Sequence, residues 1–203
     1  MKKLLAVFAV ALIASGAMAQ VDPDPNGIGF YFDVDANVFE GTAAMYTTAT
    51  AYLVLTNVDD PSGVSGWECM TDIVVADPAA IGGLPSWVLA GGLDADPDPA
   101  NWAVGIGTGE AAFDQAPAII LATWSAFLMS AVQIDFYVYP YPGSLGFDNA
   151  PGYASGADEA VLIPLQVSNG YPYGTPCAVL NGPPGVVVNN EDMSWSGVKN
   201  LFQ

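Results

Sequence analysis

An all-β fold, an antiparallel sandwich, is what this chain predicts, on three observations. Its apolar residues alternate with period two rather than 3.6. Clusters of Gly, Pro, Asn and Asp punctuate the alternating runs every few residues. Regular amphipathic helices are missing from the pattern, so about ten short strands must pack on one another.

The strands follow in order. Ile28, Phe30, Phe32 and Val34 alternate with Gly29, Tyr31, Asp33 and Asp35, which reads as an opening strand with one wet face. Ala49, Ala51, Leu53 and Leu55 then alternate with Thr48, Thr50, Tyr52 and Val54. The stretch Thr42–Ala51 is rich enough in Ala for a helix, but its threonines and the β-branched residues beyond favour strand. Next, Trp67, Cys69, Thr71, Ile73 and Val75 alternate with Glu68, Met70, Asp72 and Val74. Further strands are expected at Trp87–Leu89, Trp102–Ile106, Ile119–Met129, Val132–Tyr139, Ala160–Val167, Ala178–Leu180 and Val186–Val188, with a last one near Trp195–Phe202. Turn-rich stretches lie between them, among them Gly91–Pro99, Asn149–Gly156 and Asn169–Pro176; only Gly109–Gln115 suggests a helical turn.

Residues 1–19 read as a cleaved signal peptide: Met1-Lys2-Lys3, an apolar run from Leu4 to Ala14, and the cleavage pattern Ala17-Met18-Ala19. That run is shorter than the roughly 20 residues that span a bilayer, and no second one follows, so no membrane insertion is expected. Cleavage leaves a linker over 20–26 and one domain over 27–203, in a secreted or extracellular protein, with periplasm or cell surface as alternatives. With 52% apolar and only 12% charged residues, the chain is far too hydrophobic for a disordered acidic tail.

Its charge is lopsided. There is no His or Arg, the only cations are Lys2, Lys3 and Lys199, and the carboxylates number 21. Once the signal is removed, Lys199 alone faces them. Such a surface repels nucleic acid and anionic membranes, and attracts cations. Triad hydrolysis lacks its imidazole, and phosphoryl transfer lacks Lys or Arg around the phosphates. A carboxylate-pair glycosidase is the one common hydrolytic scheme left, with Glu40, Glu68, Glu110, Glu159 and Glu191 available; none sits in a recognisable pattern. The chain is therefore read as a non-enzyme.

Export makes a Cys69–Cys177 disulfide the expectation. It would close a loop of about a hundred residues, for which chain entropy gives about 4 kcal/mol. Buried thiols or a metal site are the alternatives, and two Cys without His make a poor zinc set. Trp67 beside Cys69 suits a sandwich core packed against such a bridge.

The segment Thr50–Val75, with Ala-Tyr-Leu-Val-Leu-Thr-Asn and then Gly63-Val64-Ser65-Gly66-Trp67-Glu68-Cys69, resembles the early strands of cohesin-like and carbohydrate-binding-module-like sandwiches. Val132–Val138 and Ala160–Val167 resemble their closing strands. The resemblance covers about half of the chain beyond the signal peptide, and implies a sandwich of immunoglobulin-like, cohesin-like or jelly-roll type. In function it implies a non-catalytic adhesion module that binds a protein partner or a glycan. The chain departs from the pattern in having no dockerin-like repeat or catalytic domain. Its last residues, Ser194–Gln203, resemble terminal segments of secreted bacterial proteins, either a docking tail or simply a last strand.

Two sets of candidate site residues stand out. Asp94, Asp96 and Asp98 form a D-x-D-x-D ladder of hard oxygens suited to calcium. An EF-hand would need Gly and Glu where Pro99 and Gly105 stand, which leaves a looser calcium loop or an exposed acidic turn stiffened by Pro97 and Pro99. Asp33, Asp35 and Asn37 repeat the spacing, and Asp22 and Asp24 fall in the expected linker. Tyr137, Tyr139, Tyr141, Tyr171 and Tyr173 form the second set, either a glycan-stacking platform or packing lids over the sandwich end. Trp87, Trp102 and Trp124 lie within apolar strands and read as core. Three functions follow: a secreted adhesion or carbohydrate-binding module, a self-associating subunit of an extracellular fibre or surface layer, or a carboxylate-pair glycosidase.

Overall fold

The computed structural model describes residues 22–144 and 149–183. The expected signal peptide, the strands at Val186–Val188 and Trp195–Phe202, and the tail Ser194–Gln203 lie outside the described residues.

Among the described residues thirteen strands run in chain order: β1 (Gly27–Tyr31), β2 (Glu40–Gly41), β3 (Thr48–Thr56), β4 (Val64–Val75), β5 (Ser86–Leu89), β6 (Leu93–Asp94), β7 (Asn101–Gly105), β8 (Ala118–Phe127), β9 (Ile134–Tyr139), β10 (Gly152–Ser155), β11 (Leu162–Pro164), β12 (Gln166–Val167) and β13 (Ala178–Leu180). Short 3-10 turns at Pro78–Ala80, Gly109–Ala111 and Ser168–Gly170 are the only helical elements among the described residues. One sheet has the order β12-β1-β3-β8-β5; the other runs β11-β10-β4-β9-β13-β2, with β7 on β4 and β6 on β7. No described helix is long and apolar enough to cross a membrane.

Alternation predicted most of this. On β4, Trp67, Cys69 and Thr71 are buried while Asp72 and Val74 are exposed. β3 buries Ala49, Ala51, Leu53 and Leu55, with a bulge against β8 after Leu53. Strand wins over helix here because Thr48–Thr56 is flanked on both sides, by β1 and by β8.

Four expectations change. The sandwich is not wholly antiparallel: the edge pairs β1–β12 and β13–β2 are parallel. Each involves a two-residue edge strand reached by a long connection, so no hairpin imposes antiparallel order. The first strand stops at Tyr31, Val34 is 51% exposed, and all five residues of β1 are buried, so its other face is not wet. The stretch Asn149–Gly156, read as a turn, contains β10, whose Tyr153 is fully buried between β4 and β11. One aromatic among Gly, Ala and Ser gives no alternation to read. Finally Asp22, placed in a linker, is buried and accepts a hydrogen bond from the Asn169 N–H at 2.6 Å.

The sheets are joined by a chain of aromatic rings. Phe30 and Trp124 of the first sheet meet Phe136 of the second at centroid distances of 5.1 and 5.2 Å. Trp87 bridges Phe30 (6.0 Å) to Trp102 (5.0 Å), and Trp102 continues to Trp67 (5.7 Å). Large rings fill a sandwich core with few conformers to freeze, and tilted or edge contacts add to the burial.

The Cys69–Cys177 disulfide is a correction: both are free, buried thiols. Cys69 lies on β4 and Cys177 just before β13, with β9 between them, since Phe136 pairs with both Ile73 and Ala178. Two strand spacings separate their backbones by about 9–10 Å, beyond the roughly 7 Å that a disulfide bridges. Burial pushes the Cys177 thiol up to about 12 and Cys69 well above its ordinary value. Both therefore behave as small apolar core groups rather than reactive thiolates.

Two outcomes follow. Phe136→Ala, which removes the ring shared by both sheets, lowers unfolding free energy by about 3–5 kcal/mol in denaturant titration. A thiol reagent labels neither cysteine in the native protein and both after unfolding without reductant; failure to label the unfolded chain would show a bridge.

Candidate functional site

The second sheet turns β4 and β9 outward together. Their register sets Met70 opposite Tyr139, Asp72 opposite Tyr137, and Val74 opposite Asp135. Because Phe136 and Val138 point into the core, Asp135, Tyr137 and Tyr139 line the outer face. Tyr137 and Tyr139 are half-buried, with nearly parallel rings 6.1 Å apart and 14° between planes. Desolvation raises both phenols above their ordinary value, helped by the Asp135 charge at Tyr137 and by Asp72 at both. Cross-strand aromatic and carboxylate neighbours of this kind make one continuous surface.

Along β4 the face becomes a groove. Gly66 pairs with Gly105 of β7 and Ala154 of β10, and Glu68 pairs with Ala103 and Gly152. The small outward residues leave a depression of about 240 Å³, with Glu68 in its lining and Leu162 at its rim. A Cβ on Gly66 would lie 2.9 Å from the Val104 carbonyl, so glycine permits the close approach of β7. Glu68 Oε1 is buried without a hydrogen-bond partner.

The remaining expected tyrosines are placed differently. Tyr141 donates to Asp96 Oδ2 at 2.5 Å and so borders the same face. Tyr171 belongs to the core, 9% exposed, its phenol pushed up to about 12 by burial and then by the Glu40 charge. Tyr173 is 44% exposed in the loop beyond it. The five are not one platform: Tyr137, Tyr139 and Tyr141 share a surface, whereas Tyr171 is turned inward.

Asp94, Asp96 and Asp98 form a ladder of turns. Asp94 Oδ1 accepts from the N–H of Asp96 (3.2 Å) and of Ala103 (3.1 Å), Asp96 from Asp98 (2.8 Å), and Asp98 from Ala100 (3.0 Å). Side chains that bond the backbone two residues on are the usual device of Asp in loops. Among the described residues, no three His, Cys, Asp or Glu side chains are grouped to hold a metal. Asp33 is likewise used locally, accepting from Asn37 and Val38 N–H at 2.9 and 2.7 Å. Of the glutamates, Glu40 and Glu68 lie on β2 and β4, Glu110 in a 3-10 turn and Glu159 in a loop, while Glu191 is outside the described residues.

Sequence reasoning missed the groove. Its signal was present in the glycines Gly66 and Gly105, each inside an alternating strand, where glycine commonly marks a close backbone approach.

The Tyr141–Asp96 contact can be checked by titration. Ionising Tyr141 would lose the hydrogen bond and set a second negative charge beside Asp96, so the phenol lies above its ordinary value; the same bond holds the Asp96 carboxyl low. Asp96→Asn therefore moves the Tyr141 transition to lower pH in a ring-carbon NMR titration. An unchanged Tyr141 would refute the contact.

No family model matches the chain, and no curated protein sequence matches it. Several solved structures do resemble it in shape. The sixth cohesin of scaffoldin B from Acetivibrio cellulolyticus, solved with a Cel5 dockerin mutant, gives a TM-score of 0.44 at 8% identity, covering 71% of this chain and 95% of that one. A type II cohesin domain from the cellulosome of the same organism gives 0.43 at 11% identity, over 78% and 96%. The cohesin module of a family 33 glycoside hydrolase from Clostridium perfringens gives 0.39 at 9% identity, over 69% and 90%.

Proposed function

We propose that this chain is an exported, non-catalytic binding module that engages a protein or glycan partner through the outer face of its eight-stranded sheet. One observation carries the reading. Tyr137 and Tyr139 stand half-exposed and nearly parallel on a regular sheet, and the Glu68 groove opens on that same face. Tyrosines held on a sheet offer amphipathic contact area at little entropic cost. The rigid backbone beneath keeps the face preorganised for a partner. The charge distribution supports binding over bond-making. Asp148, Glu191 and Asp192 apart, every carboxylate lies among the described residues, and no Lys, Arg or His does. A surface of that sign favours partners that bring cations or hydroxyl groups.

Pull-down against insoluble polysaccharides, together with proteins secreted by the source cell, gives the test. Tyr137→Ala with Tyr139→Ala is expected to weaken the captured interaction at least about 10-fold, as loss of aromatic hot spots does. Tyr173→Ala leaves it unchanged. Equal binding by the double variant, with the fold intact by circular dichroism, removes this face as the site.

A further inference from the structure

The first sheet ends on β5, and among the described residues no strand covers its far side. On β8 the register sets Ser86 against Ser125, Trp87 against Trp124, Val88 against Thr123 and Leu89 against Ala122. One step further along the same ladder, the Ala90 N–H donates to the Leu121 carbonyl at 2.9 Å. Antiparallel pairs alternate between hydrogen-bonded and non-hydrogen-bonded. Ser86 and Val88 therefore bond to β8, while the N–H and C=O groups of Trp87 and Leu89 point away from it. Outward-facing donors and acceptors thus sit beside large exposed side chains, Val88 at 64% and Leu84 at 96%. Natural edges carry lysines, inward charges or bulges against pairing with another chain. β5 has no charged residue and no break in register, and Pro85 only sets where the free edge begins.

Charge decides what can approach this edge. No charged residue occurs in 42–58, 78–93 or 115–134, and those stretches hold β3, β5 and β8, which are neighbours in the sheet. The second sheet, by contrast, carries Glu40, Glu68, Asp72, Asp94 and Asp135 on its strands. Asp94, the first carboxylate after β5, is turned back onto the N–H groups of Asp96 and Ala103. Two copies of so acidic a body repel each other wherever their carboxylates meet, and along β5 they do not meet. We propose that two copies of the chain join edge to edge through β5, about a two-fold axis at Val88, so that their first sheets become one continuous sheet. The register follows from the free groups. Trp87 of each copy pairs with Leu89 of the other, each pair exchanging both of its N–H···O=C bonds. Val88 then faces its own counterpart as a non-hydrogen-bonded pair, the position where side chains come closest. The contact is isologous and consumes the β5 edge of both copies, so it closes at the dimer and builds no fibre. A strand this short gives a small interface and a weak, reversible dimer.

The test is analytical ultracentrifugation of the chain from Gln20 onward, at about 5–500 µM, the range in which so small an interface assembles. A monomer–dimer equilibrium is expected, tightening as NaCl rises from about 0.05 to 0.5 M because screening removes the repulsion between the two bodies. Val88→Glu sets two carboxylates against each other at the axis and weakens the dimer at least about 30-fold. Thr50→Glu, on the same sheet face but on β3, leaves it within about 2-fold. By NMR hydrogen exchange, the amides of Trp87 and Leu89 slow as concentration rises, whereas that of Val88, already bonded to β8, does not. Should Val88→Glu fail to fold, this amide pattern in the parent decides the matter. A chain that stays monomeric to the highest concentration, residues 184–203 covering the edge included, overturns the pairing. So does a dimer indifferent to Val88→Glu, one weakened equally by Thr50→Glu, or one that leaves the Trp87 and Leu89 amides unprotected.

Discussion

Phe136 is the contact on which the sandwich turns. It stands on β9, hydrogen-bonded on one side to β4 and on the other to β13, and its ring meets Phe30, Phe32 and Trp124. One side chain therefore couples the centre of one sheet to two strands of the other. The surrounding layer is close-packed, so its members cannot shift singly without leaving voids. The outward direction of Tyr137 and Tyr139 follows from this: neighbours of an inward Phe136 and Val138 on the same strand must point to solvent. The proposed binding face is the back of the core, and its geometry is inherited from packing rather than from loops.

The same layer shows why the sandwich holds without a cross-link. A chain with this much apolar area closes a core without covalent staples. Its two cysteines then serve as small buried groups on either side of β9, and Cys177 Sγ contacts the Phe136 carbonyl at 3.4 Å. Compartment made pairing the natural expectation, and strand order made it geometrically unavailable. A pairwise inference from residue type carries no information about how many strands lie between two positions.

What could be read beforehand was whatever follows from alternation. The inward set on β4, the β3 run, the Ala178–Leu180 strand and the burial of Trp102 and Trp124 were all legible, because a period of two with large apolar residues has one physical outcome. Shorter pieces were not. β2, β6 and β12 have two residues each and β10 only four, too few to show a period, and they form because a neighbour offers a free edge. The site was legible in part. Alternating tyrosines predicted a shared face for Tyr137 and Tyr139, but Tyr171 carries the same residue type into the core. The aspartate ladder resembled ligands because Asn-like turn chemistry and metal ligation call for the same side chains at the same spacing. The groove beside Glu68 was hidden because it is made of what is missing, the side chains of Gly66, Gly105 and Ala103.

The parallel pairing of β1 with β12 sets Gly27 beside Gln166 and Ile28 beside Val167. The first strand thus waits for a neighbour synthesised almost 140 residues later, and contacts of such separation form late and slowly. A polypeptide emerging in order from a ribosome or a translocation channel cannot complete its opening sheet until most of it is out. A polypeptide cut short before Gln166 would leave the β1 edge bare, so that edge is closed by almost the last of the described strands to appear.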